Sequence, residues 1–241
     1  MICLTFDTDW MTDDTLGRFL TEFSVPGQAT FFCHDVFPSL EATRHEVCPH
    51  PFIADLSDWQ GPLTHLTSRL GRPARGVRPH SCVFSHMIGV GLHELGFDYV
   101  SQAHGMYQPG LAPFRHPWGV WELPIYYMDN MDFWMRTNWP ALAHEPFSPA
   151  WIEQSLDDAG LYVFDFHPIH IALNTSSPDD YQRVKARIID EHVSPFDLTF
   201  PGRGARTYFL ELCETLTARG TQSHTCSQAI DQWAAAGAKA T

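Results

Sequence analysis

Apolar runs of strand length alternate with helical spacing along most of this chain, and no other feature limits its fold so closely. Strands are predicted at residues 2–6, 28–33, 45–48, 75–78, 97–101, 120–125 and 161–166, with a shorter candidate at 221–225. Between the first two, Leu16, Phe19, Leu20 and Phe23 follow the i, i+3, i+4, i+7 spacing of a helix face, closed by Pro26 and Gly27. A second helix over 84–95 stops at Gly96, and Leu212 and Leu216 belong to one that Gly220 ends. Ser148 and Ser177 each precede a proline, the order of an N-cap and a first helical residue. Thr225 and Gln228 have the spacing of a capping box for the last helix. Alternating β and α elements imply an α/β fold with a mainly parallel sheet, closed as a barrel or left open. Residues 104–147 are rich in Pro, Trp, Tyr and Asn and read as long loops around one strand. No internal repeat or linker divides the chain, so 1–241 is expected to form a single domain.

The first strand ends in Asp7-Thr8-Asp9. Side chains at i and i+2 of a strand share a face, so both carboxylates would point the same way just past the buried segment. Like charges that close repel unless a positive group separates them or one stays protonated. The stretch also reads as an ordinary polar turn, with Asp9 or Thr12 capping the next helix.

Composition narrows the partners. A net charge of −13 leaves no basic footprint for nucleic acid or an anionic membrane. No window approaches the roughly 18 apolar residues of a membrane span. A signal peptide is not expected, because the first strand starts at Ile2 and Asp7 interrupts the apolar run. Six scattered cysteines without a CxxC pair fit a reduced, cytoplasmic protein. Fourteen histidines nearly match fifteen Lys plus Arg, so where they cluster matters.

They fall at strand ends, where parallel α/β folds place their chemistry. Asp7 and Asp9 follow the first strand, His50 the third, Arg78 and His80 the fourth, and His167 and His170 a late apolar strand. Singly, each histidine is an ordinary packing or surface residue. Together they suggest a shared site. One Asp and two His with an open position form a catalytic zinc arrangement, and the metal would supply the charge that lets Asp7 and Asp9 coexist.

The motifs LTFDTD, ATFF, HEVCPHP, GVRPHS and FDFHPIH occur in the order of the polysaccharide deacetylase (NodB-homology, carbohydrate esterase family 4) superfamily, which the chain resembles over residues 2 to about 173. FDFHPIHIALN and RPHS also resemble a branch associated with surface-polysaccharide and O-antigen biosynthesis. The resemblance implies a distorted (β/α) barrel of about seven strands that removes an N- or O-acyl group from a sugar with a divalent metal, zinc by expectation. It makes Asp7 the base, Arg78 its orienting partner, His167 the acid, and Asp9 and His50 metal ligands. The family's second metal-binding histidine, four residues after His50, is Ala54 here; His80 is the first choice to replace it, ahead of Asp55 and His45. Asp129 or Asp132 would pair with the acid, and His170 would support the site or mark the substrate wall. Trp118, Trp121, Trp134 and Trp139 are candidates to stack on sugar rings, with core packing expected for at least half. The expected substrate is an acetamido sugar carried on a nucleotide or lipid. Two other readings are a metal-dependent hydrolase of a non-sugar amide and a sugar-binding protein that has lost its metal, for which Ala54 speaks.

Overall fold

The computed structural model describes residues 1–138, 144–157 and 159–238. From the first strand the order is β1 (Ile2–Asp7), α1 (Asp13–Glu22), β2 (Ala29–Cys33), β3 (Glu46–Pro49), α2 (Gln60–Leu70), β4 (Gly76–Val77), α3 (His86–Glu94) and β5 (Tyr99–Val100). Then come β6 (Phe114–Arg115), β7 (Trp121–Glu122), β8 (Ile125–Met128), α4 (Asp129–Asn138), α5 (Ala150–Asp157) and β9 (Tyr162–Phe166). Four helices complete the described chain: α6 (Pro168–Leu173), α7 (Pro178–Ile189), α8 (Ala205–Ala218) and α9 (Cys226–Ala238).

One sheet runs β3-β2-β1-β9-β8, all parallel; the other runs β4-β5-β7-β6, with only β6 antiparallel. Backbone bonds join the two sheets at both margins. Arg78 N–H donates to Pro49 O (3.2 Å), and Ile125 N–H donates to Ala103 O (2.8 Å). The result is a distorted barrel, as expected. Nine strands stand among the described residues instead of about seven, partly because Pro124, which has no N–H to give, lies between β7 and β8 and splits the predicted 120–125 strand.

The β1 sequence shows how the barrel sorts its side chains. Ile2, Leu4 and Phe6 point outward into the main core, where Phe6 meets Phe19, Phe31 and Phe209 at centroid distances of 5.4, 4.8 and 5.8 Å. Burying each such ring contributes about 1.5–3 kcal/mol. Cys3, in contrast, packs inside with Cys48, Tyr99, Val163 and Cys226. By the same alternation Thr5 and Asp7 face inward, and so does Asp165, which is in register with Thr5. The barrel interior is therefore apolar at one end and charged toward the carboxyl ends of its strands.

Several caps read from the sequence are present. Thr12, not Asp9, caps α1 and forms a capping box with Thr15. Ser177 accepts from Asp180 N–H, and Thr225 and Gln228 exchange bonds at the start of α9. Residues 221–225 make only isolated bridges, Ser223 to Gly27 and His224 to Cys3. The reading of 104–147 as loops around one strand is corrected: it holds β6, β7, β8 and α4. Helix α4 begins on the residue after β8 ends, so no turn residue separates the two periodicities. Among the described residues no helix is long and apolar enough to cross a membrane.

Candidate metal and catalytic centre

The floor of the centre is Arg78, directly after β4 and fully buried. Its Nε donates to Ser101 O and its Nη2 to Ser101 Oγ, both at 2.8 Å. Its Nη1 donates to Asp7 Oδ1 (2.8 Å), Thr5 Oγ1 (3.0 Å) and Asp165 Oδ1. Burial works against the guanidinium charge, but Asp165 and Asp7 hold its pKa well above the usual value. Burial likewise pushes the Asp165 carboxyl up to about 7, against the pull of Arg78. A buried charge needs such partners, since an isolated one costs several kcal/mol.

Above this floor three side chains from different loops converge. His50 follows β3, His80 opens a short 3-10 turn after β4, and Asp9 lies in the turn after β1. His50 Nε2 is 3.4 Å from Asp9 Oδ1, and His80 Nδ1 is 3.1 Å from Asp9 Oδ2 and 3.4 Å from His50 Nε2. His50 Nδ1 donates to Arg78 O at 2.7 Å, which fixes the tautomer and turns Nε2 toward the carboxylates. Asp9 Oδ1 is buried and, among the described residues, has no hydrogen-bond partner. Burial alone would raise the Asp9 pKa, yet His50, His80 and His167 hold it well below the carboxylate range. For His50, burial favours the neutral ring, but Asp7 and Asp9 raise its pKa. Both shifts arise from the same attraction between the carboxylates and the imidazoles.

The residues fit a divalent cation. One nitrogen or oxygen from each of Asp9, His50 and His80 lies within 4.8 Å of the others. Tetrahedral ligands about 2.0–2.1 Å from zinc stand roughly 3.3 Å apart, close to the separations of 3.1–3.4 Å seen here. The orphaned Asp9 oxygen is the kind of atom a cation would satisfy.

Across the pocket, His167 stands just before α6 and is held by Asp129, the first residue of α4. Asp129 Oδ1 accepts a hydrogen bond from His167 Nδ1–H at 2.7 Å, and its Oδ2 accepts the His167 backbone N–H at 2.9 Å. Burial opposes the imidazolium, but Asp129 first, then Asp165 and Asp7, bring the His167 pKa up to about 10. Its Nε2 faces the centre, 3.7 Å from Asp9 Oδ2. His170, one helical turn on, is bonded through Nδ1 to Thr175 Oγ1 (3.1 Å), and burial pushes its pKa down to about 4. These groups line a pocket of about 350 Å3 that also includes Tyr181 and Trp134.

The six residues singled out as catalytic or ligating therefore meet in one place: Asp7, Asp9, His50, Arg78, His80 and His167. The weaker ligand candidates do not join them. Asp55 is exposed and caps a short turn through Ser57, while His45 accepts from Ala29 N–H at the start of β3. Ala54 is exposed on the loop after β3. Asp129, not Asp132, partners His167; Asp132 instead bonds Tyr127 and Phe147 N–H at 3.1 and 2.7 Å. Of the tryptophans, Trp134 lines the pocket, Trp118 stacks on His116, Trp121 lies in β7, and Trp139 is outside the described residues. Sequence reasoning missed Thr5, Ser101 and Asp165. A lone acid between Phe164 and Phe166 in a wholly buried strand was the available signal for Asp165.

Comparison with known proteins places the chain in a family. A family model described as WbmS-like, polysaccharide deacetylase, matches residues 4–185, three quarters of the chain and every residue of the centre. The chain belongs to this family. A solved structure from Bordetella bronchiseptica, of a protein proposed to be a polysaccharide deacetylase involved in O-antigen biosynthesis, has a TM-score of 0.72 at 24% identity. The match covers 90% of each chain and shows a shared fold. The peptidoglycan deacetylase PdaC of Bacillus subtilis aligns over 99% of this chain and 94% of its own, at 14% identity and TM-score 0.49. Comparison with curated proteins gives no match.

Proposed function

We propose that this family member is a metal-dependent carbohydrate deacetylase, hydrolysing an N- or O-acyl group on an acetamido sugar in surface-polysaccharide biosynthesis. The observation that carries the reading is the convergence of Asp9, His50 and His80 on an orphaned buried carboxylate oxygen, between two acid–base pairs. A divalent cation held by those three, zinc by its preference for imidazole and carboxylate, would supply Lewis acidity to water and acyl carbonyl. Asp7, fixed by Arg78 through one oxygen, keeps Oδ2 directed at the centre and takes the proton of the attacking water. His167, charged at neutral pH and locked by Asp129, gives its Nε2 proton to the departing nitrogen or oxygen. Trp134 at the pocket wall offers a stacking face to a sugar ring. Six free cysteines, five of them buried, support a reducing compartment such as the cytoplasm.

His80 is where the reading is most exposed, because it must stand in for the histidine replaced by Ala54. His80→Ala is expected to weaken zinc at least about 10–100-fold, the range for loss of a supporting partner, and as much as His50→Ala does. Competition against a chelating dye measures this directly. Unchanged affinity in His80→Ala together with loss in Asp55→Ala would remove the ligand assignment.

A further inference from the structure

Beside the centre lies a strip of exposed rings that the proposed chemistry does not use. Phe52 packs on His80 with ring centroids 4.1 Å apart, and Trp10 lies 6.4 Å from Phe52. Both rings are more than two-fifths exposed, at 43% for Trp10 and 42% for Phe52. Trp10 is also strained. It is the third residue of a turn closed by Met11 N–H to Thr8 O (3.0 Å), and its φ is +61°. Glycine or asparagine usually occupies such a position, and a bulky residue there is an outlier that points to function.

A cation completes the strip. Lys185 of α7, one of only two lysines in the sequence, sets its Nζ 5.2 Å from the Trp10 ring and 5.8 Å from the Tyr181 ring. Among the described residues it forms no ion pair. Its neighbour Arg183, in contrast, is engaged by Asp180 and lies over Phe200. Tyr181 lines the pocket, and its hydroxyl oxygen is buried without a hydrogen-bond partner among the described residues. On a chain of net charge −13, an ammonium set against the rings of Trp10 and of the pocket-lining Tyr181, with no ion pair among the described residues, offers an anion a local partner.

We propose that Trp10, Phe52 and Lys185 form a subsite for an anionic saccharide unit, a carboxylate- or phosphate-bearing one, next to the unit that carries the acyl group. The inference rests on the deacetylase reading for the identity of that neighbouring unit. Each exposed ring offers an apolar surface to a sugar, while Lys185 takes its charge.

Calorimetry on the zinc-loaded protein with three probes tests it: neutral chitotetraose, a hyaluronan tetrasaccharide carrying carboxylates, and UDP-N-acetylglucosamine carrying phosphates. At least one anionic probe is expected to bind about 3- to 10-fold tighter than chitotetraose at low salt, with the margin shrinking as salt rises. Which probe it is identifies the source of the charge. Lys185→Met should abolish the margin, and Trp10→Gly, which suits the turn and keeps the thermal midpoint, should weaken binding of every probe that the wild type holds. No anionic preference in the wild type, a preference that survives Lys185→Met, or full affinity in Trp10→Gly would each overturn the proposal. The heats are read with Asp7→Asn as the common background of every protein compared, so that the acetamido probes are held and not turned over; a failure of hydrolysis in the enzyme with Asp7 intact then bears on the deacetylase reading and not on this one.

Discussion

Asp7→Asn is expected to leave the protein folded and loaded with zinc while hydrolysis falls roughly 10²–10⁴-fold, the usual worth of a positioned general base. An asparagine side chain still offers Arg78 a carbonyl oxygen, so the bond now at 2.8 Å can persist. Its amide cannot take a proton from water. The two aspartates at the end of β1 thus separate by environment: Asp7 is tied to Arg78, while Asp9 is surrounded by His50, His80 and His167. The assay is acetate release from a nucleotide-linked or lipid-linked acetamido sugar. Activity within tenfold of wild type would show that Asp7 is not the base.

The second large effect concerns stability. Arg78→Met should destabilise the fold by about 3–5 kcal/mol, because it leaves Asp7 and Asp165 buried without their shared cation. Both carboxylates bind the same Nη1, and Asp165 is fully buried, its Oδ2 without a hydrogen-bond partner among the described residues. Adding Asp165→Asn removes one of the two stranded charges, so the double variant should recover part of the loss. Coupling of about 1–3 kcal/mol is typical of contacting residues. Urea unfolding of the four proteins at fixed zinc measures the cycle. An Arg78→Met variant within about 1 kcal/mol of wild type would contradict the picture of a guanidinium floor.

Much of this arrangement is legible in the sequence because a parallel barrel gives strand ends a common address. The apolar runs that become β1, β2, β3 and β9 carry their own boundaries, and the acids and histidines just after them fall at one mouth. What hides from the sequence is pairing. Asp129 and Asp132 are equivalent in YYMDNMDFW, and only the start of α4 at Asp129 brings that carboxylate under His167. Asp165 resembles a stray acid until β9 is set beside β1, where it comes level with Thr5. Helix α4 is concealed for a related reason, since β8 passes into it without a turn. Trp10 is the opposite case: its residue type argues against the backbone it adopts, so only the structure discloses it.

The central claim is that Asp9, not Asp7, holds a cation with His50 and His80. Elemental analysis of tag-free protein dialysed against zinc tests it most directly. About one zinc per chain is expected in the wild type and in Asp7→Asn, and well under one in Asp9→Asn, with partial refilling at raised zinc. An Asp9→Asn protein as full as the wild type, or an empty wild type, would contradict the account.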